Sequence, residues 1–174
     1  MNLENASKGS LEMEKQKPVD LRELEAFVLD MDGVVTDTAA VHASAWKEMF
    51  DGFLEEYGER EGESLEPFDI EADYLAHVDG RPRYEGATGF LESRGIELPR
   101  GSEDDDPGTE TVCGLGNLKN EYFQRILREE GARAIDSTVE FVERGRGLGM
   151  RFAVISASRN AERVLEAAGV TGDR

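Results

Sequence analysis

Residues Val28–Thr38 read VLDMDGVVTDT. An apolar run ends in Asp30, a second carboxylate follows at Asp32, and Gly33 comes directly after it. Carboxylates two apart on a strand point the same way, and their charges repel unless something cationic lies between them. The arrangement costs stability, so it points to a metal or phosphate site. A calcium loop of the EF-hand kind is excluded, because Gly33 is fourth rather than sixth and Val41 stands where glutamate should close the loop.

Outward from this stretch, Ala26–Asp30 (AFVLD) and Arg151–Ser156 (RFAVIS) have the length and β-branched content of buried strands. The residues between them read as mostly helical. Trp46, Met49, Phe50 and Phe53 recur at the spacing of one apolar helix face. Ala87, Phe90 and Leu91 repeat it up to Gly95, and Leu118, Tyr122, Phe123, Ile126 and Leu127 form a third stripe closed by Gly131. Pro99–Thr111 has no period and is expected to be an exposed connection, with Asp104, Asp105 and Asp106 solvated. Ser137-Thr138-Val139-Glu140 has the form of a capping box, and Ser158 suits the N-cap of a last helix bearing Ala161, Val164, Leu165 and Ala168. Gly145, Gly147 and Gly149 precede a strand instead of following one, so they read as a helix stop, not a dinucleotide loop. The outline is an α/β layer with a parallel sheet, interrupted after its first strand by helices.

Length and charge narrow the function. A chain of 174 residues suits one domain, or one domain with an insert. No apolar run approaches the length of a membrane span. Residues 1–22 lack the apolar core of a signal peptide and read as a charged, mobile tail, and the sequon Asn5-Ala6-Ser7 is a chance match there. Cys113 is the single cysteine, so an intrachain disulfide and a two-thiol metal site are both impossible. A cytoplasmic location is the simplest expectation. With 38 acidic residues against 20 basic and a formal charge of −18, the chain has no general attraction for nucleic acid. An acidic protein acting on phosphates needs a cation in its site.

In open α/β sheets ligands bind beyond the carboxyl ends of the strands, where Asp30 and Ser156 both stand. Asp30 is placed to attack a phosphoryl group as a carboxylate nucleophile. Asp32 is placed to give a proton to the leaving oxygen and later take one from the incoming nucleophile. Amides exposed in the turn can cradle phosphate oxygens, and Mg²⁺ would offset the charge of carboxylates and phosphate.

The strand ending in Asp30-Met31-Asp32-Gly33-Val34, then Thr36-Asp37-Thr38, resembles the first motif of the haloacid dehalogenase superfamily. Val154-Ile155-Ser156-Ala157-Ser158 resembles the second. His42, Trp46, Lys119-Asn120 and Ser156 to Asn160 resemble its β-phosphoglucomutase branch, across about Glu25 to Gly169. The resemblance implies a Rossmann-like core of residues 23–38 plus 132–174 and an inserted helical cap of residues 39–131, with Thr36 and Asp37 at the hinge. It implies an enzyme, a Mg²⁺-dependent phosphatase or phosphomutase acting on a small sugar phosphate through an aspartyl-phosphate. Asp30 and Asp32 are then catalytic and metal-binding. Ser156, Ala157 and Asn160 would hold phosphate, and Lys119, Arg81 and His42 would meet substrate from the cap side.

The family's third and fourth motifs, a lysine and an acidic pair, do not follow before Thr171-Gly172-Asp173-Arg174, so the chain is expected to be truncated. A second reading stands beside the enzyme: an inactive fragment that binds ligand or self-associates through an uncovered sheet edge.

Overall fold

The computed structural model describes residues 24–170. The tail of residues 1–22, the sequon and Asp173 lie outside them. Strand β1 (Ala26–Asp30) pairs in parallel with β4 (Arg151–Ile155), from Ala26 opposite Arg151 to Asp30 opposite Ile155. Between them come β2 (Thr36–Asp37), α1 (Ala39–Glu61), a π-helical turn (Tyr74–Val78), α2 (Arg83–Ser93), α3 (Val112–Glu130), β3 (Arg133–Ala134) and α4 (Asp136–Gly147). Helix α5 (Ala161–Ala167) follows β4. This is the expected α/β layer, with helices inserted after its first strand.

One face of the parallel pair carries Phe27 and Phe152, stacked 5.4 Å apart, and Phe141 of α4 meets both edge-on at 5.1 and 5.7 Å. A Cβ on Gly145 would lie 2.4 Å from the Phe152 ring, so glycine is what lets α4 come this close. The other face is open: Val28 is 62% and Ile155 59% exposed. The expectation of buried strands is therefore corrected. Burying a parallel pair takes helices on both faces, and among the described residues only one face has such a cover.

Strands β2 and β3 are antiparallel, Thr36 opposite Ala134 and Asp37 opposite Arg133. They bring together the two chain passages that lead into and out of the helical insert. Inside the insert, Phe50 stacks on Trp46 and Phe68 at 5.3 and 5.2 Å and meets Phe90 at 4.0 Å. The first two apolar stripes of the sequence supply this core, and the third reaches it only with the half-buried Leu118 and Tyr122. A second cluster joins insert to sheet: Met31 beyond β1, Val41 and Ala45 of α1, Phe123, Ile126 and Leu127 of α3, and Val164 of α5. That cluster sets α1 and α3 directly over the Asp30–Asp32 turn.

Two expected caps are also corrected. Ser137 lies inside the first turn of α4, whose N-cap is Ile135, and Thr138 spends its hydroxyl on Val34 O at 2.6 Å. Helix α5 begins after Asn160, not after Ser158. Ser158 Oγ instead accepts from Asn160 N at 3.2 Å, a local turn that competes with helix. The acidic connection is exposed as expected, except at Asp105 and Thr111: the Asp105 carboxylate accepts from Thr111 Oγ1 at 2.6 Å and Ser102 N at 3.1 Å.

Candidate active site

The parallel register puts the end of β1 beside the end of β4, and Met31 N continues the ladder by donating to Ile155 O at 3.1 Å. Asp30 and Ser156 thus stand next to each other at the carboxyl edge. Gly33 has φ +77°, a left-handed conformation that glycine adopts without a steric penalty. It turns the chain so that Gly33 N reaches Thr36 O at 2.8 Å while Val35 N and Thr36 N both reach Met31 O at 2.9 Å. These bonds correct one expectation. The amides of Met31, Gly33, Val34, Val35 and Thr36 are all engaged in the turn or with β4, and only that of Asp32 stands outside the pattern. The turn offers a phosphate one amide, not a row of them.

Asp32 is held from the hinge and faced from the insert. The buried Thr38 hydroxyl donates to Asp32 Oδ1. His42 Nε2 lies 4.0 Å from the same oxygen. The His42 ring stacks on Phe123 at 4.3 Å, and its Nδ1 is 2.8 Å from Lys119 Nζ. Lys119 is only 5% exposed, with its ammonium 5.0 Å from the Trp46 and Phe123 ring centres. Lys119 is therefore a buried lysine, not a solvated one. Burial, then the Arg83 charge, bring its pKa down to about 7, against the pull of Asp32. Burial and the Lys119 charge push His42 down to about 3. A neutral imidazole that accepts from Lys119 at Nδ1 carries its own proton on Nε2, the nitrogen directed at Asp32.

Ser156 Oγ accepts from Ser158 N at 3.0 Å, which fixes the loop that carries exposed Ala157. Asn160 stands at the mouth of α5, its amide donating to Asn120 Oδ1 at 2.8 Å and accepting from Gln124 Nε2 at 3.3 Å. Arg81 is not brought into this group: its guanidinium donates to Ala76 O at 3.2 Å, on the exposed side of the π-helical turn. Arg83, two residues on, is the arginine whose charge acts on Lys119. It lines a polar cleft of ≈ 710 Å³ with Asn117, Asn120 and Asn160. Tyr84 supports it, with the Arg83 guanidinium 5.0 Å above the ring and the phenol donating to Asn117 Oδ1 at 2.9 Å. Tyr74 was also missed. Burial, then the charges of Asp79 and Asp32, raise its phenol to about 12. Pro82 was the available signal for Arg83, since proline so often marks the first turn of a helix. Nothing local marked Tyr74.

The donor set at the strand end suits a hard cation. Asp30 and Asp32 supply carboxylate oxygens, and Mg²⁺ characteristically takes one or two carboxylates while keeping several waters. Among the described residues no third histidine, cysteine or acid joins them. Chemically, the site offers an exposed carboxylate for attack, a second carboxylate oriented by Thr38, and cationic or amide groups from α2, α3 and the β4–α5 loop.

Known proteins share this chain's family and fold. The family model for haloacid dehalogenase-like hydrolases matches residues 24–173. A β-phosphoglucomutase of Mycobacterium bovis is 46% identical over 147 residues, covering 84% of this chain and 56% of the relative. The same holds for a β-phosphoglucomutase of Mycobacterium tuberculosis. Among solved structures, β-phosphoglucomutase from Clostridium difficile superposes with a TM-score of 0.60 at 22% identity, over 86% of this chain and 58% of that one. CbbY from Rhodobacter sphaeroides in complex with phosphate gives 0.58 at 20%, over 83% and 56%. The chain spans about half the length of the curated mutases it matches.

Proposed function

The chain belongs to the haloacid dehalogenase-like hydrolases, on their β-phosphoglucomutase-like side, and from that premise we propose that it works in phosphoryl transfer on a small sugar phosphate. The observation that carries the reading is the meeting of Asp30 and Ser156 at one edge of a parallel pair, with Asp32 between Thr38 and the His42–Lys119 pair of the insert.

In this reading an Asp30 carboxylate oxygen attacks phosphorus, and the bond from phosphorus to the leaving oxygen breaks. Asp32, protonated for this step, gives its proton to that oxygen. The incoming hydroxyl then loses its proton to Asp32 and attacks the aspartyl-phosphate, which releases the Asp30 carboxylate. Thr38 keeps Asp32 oriented through both steps, and His42 donates toward it without carrying charge. Ser156, Ala157 and Asn160 bind the phosphoryl oxygens, and Arg83 and Lys119 neutralise the substrate's anionic part. Asp30 and Asp32 would hold Mg²⁺, which when bound supplies positive charge against that of carboxylate and phosphate.

The division into residues 23–38 plus 132–174 as core and 39–131 as cap belongs to this proposal, and the β2–β3 pair supports it as the hinge. So do a cytoplasmic location and a lack of nucleic-acid or membrane partners; no helix among the described residues is long and apolar enough to cross a membrane. The alternative, a binding or self-associating module without catalysis, is less favoured by relatives that are mutases by name. The test is Mg²⁺-dependent hydrolysis of an aryl phosphate. Asp32→Asn should slow it by on the order of 10² or more, and Asp30→Asn should abolish it. Equal rates for wild type and Asp30→Asn would sink the reading.

A further inference from the structure

Two consecutive residues at the mouth of the cleft, Arg159 and Asn160, are each held by side chains of the helical insert. Arg159 Nη2 donates to Glu103 Oε2 at 3.2 Å, and Asn160 bonds to Asn120 and Gln124 as described above. Glu103 does not reach across on a loose tether. Asn117 Nδ2 donates to the backbone carbonyls of Glu103 and Asp105 at 3.1 and 2.9 Å, and Asp105 ties its own loop to Thr111 at the start of α3. The acidic loop is therefore fixed to α3 and carries one carboxylate over to the β4–α5 segment. Glu103, Arg159, Asn160 and Arg83 all line the same cleft.

We propose that Glu103 is a built-in competitor for the anionic group of the ligand: its carboxylate holds the Arg159 guanidinium, and a phosphate entering the cleft must displace it. The inference rests on the proposed function, in which Arg83 and Asn160 of this cleft bind the ligand's anionic oxygens, although Asp104, Asp105, Asp106, Glu121 and Glu162 also line it. The guanidinium fork fits carboxylate and phosphate through the same donors, so the two compete for one group. Because the same contact joins the insert to the sheet, the exchange loosens one tie between them each time an anion binds. Both partners are exposed, Arg159 at 81% and Glu103 at 54%, so the competition tunes affinity and does not block the site.

Calorimetric titration of inorganic phosphate into the full chain at low salt tests this directly. Glu103→Gln should lower Kd by about two- to fivefold, the range of an exposed ion pair, and Arg159→Ala should raise it. The double variant should match Arg159→Ala alone, and the gain from Glu103→Gln should shrink as salt is added. An unchanged Kd in Glu103→Gln overturns the proposal. So does a gain that persists without Arg159, which would make Glu103 a diffuse repulsive charge. A failure of all four proteins to bind phosphate overturns it as well. Turnover that survives Asp30→Asn would instead remove the phosphoryl-transfer reading and leave these titrations standing.

Discussion

Lys119 is a lysine that the fold has taken out of water and set beside a neutral histidine, over two aromatic rings. Its ammonium is disfavoured by burial, so its pKa falls from 10.5 to about 7. Between those values the unfolded chain binds more protons than the folded one, and stability rises with pH across that window. Below about 7 both states are protonated, and the full penalty is present and constant. Lys119→Met should therefore stabilise the protein most at and below pH 7. After the loss of the histidine bond and the cation–π contacts, the net gain is on the order of 2 kcal/mol, fading toward pH 10. Thermal melts from pH 6 to 10 check this, and a gain that does not vary with pH would contradict it. The same scale separates two arginines that sequence alone could not. Arg83→Ala should raise KM for a sugar phosphate at least tenfold, roughly the worth of one charge-assisted contact, and Arg81→Ala should leave it unchanged. Equal effects would return Arg81 to the site.

At the scale of elements, the approach of α2 to α3 depends on Gly116. A Cβ there would lie 2.7 and 2.9 Å from Tyr84 ring atoms and 3.4 Å from Arg83 Cγ, and Tyr84 is pinned by its bond to Asn117. Gly116→Ala should cost about 1–3 kcal/mol in urea denaturation, as overpacking does, and should raise KM in step with Arg83→Ala. Loss of stability with KM untouched would show that Tyr84 does not position Arg83. Elements also mark the limit of what could be read from residues. The three helical stripes were legible because apolar residues recur at helical spacing within each, and the two long strands because each is a short apolar run of strand length. The β2 and β3 strands were not, since two residues carry no alternation and their pairing is set by tertiary closure. Ser137 and Ser158 misled for a related reason: both look like caps in sequence, but Ser137 lies inside the first turn of α4, where the neighbouring Thr138 hydroxyl bonds Val34 O, and the Ser158 hydroxyl is spent on a local turn. Asp30, Asp32 and Ser156 could be proposed from sequence because strand ends are where an α/β sheet gathers its ligands. Arg83 and Tyr74 needed the packing of the insert against the turn.

Across the whole molecule, burial is unequal. The insert encloses Phe50, Phe68, Phe90 and Phe123 at 0–1% exposure, whereas Val28 and Ile155 of the parallel pair are more than half exposed. Amide exchange should accordingly be slowest in α1 and α3 and faster in β1 and β4, because local opening follows buried apolar contact. Uniform protection measured by exchange and mass spectrometry would contradict that ordering. The Asp30–Asp32 turn lies at the boundary between these regions, fastened to the insert by Met31 and by the line from Thr38 through Asp32 to His42 and Lys119. Everything proposed for the site depends on Asp30 forming a bond to phosphorus at that boundary. The most direct measurement is peptide mass spectrometry after brief incubation with Mg²⁺ and acetyl phosphate, quenched in acid. One phosphoryl group should appear on the peptide containing Asp30, be removed by hydroxylamine, and be absent from Asp30→Asn; a label that persists in Asp30→Asn, or no label at all on that peptide, would contradict the account.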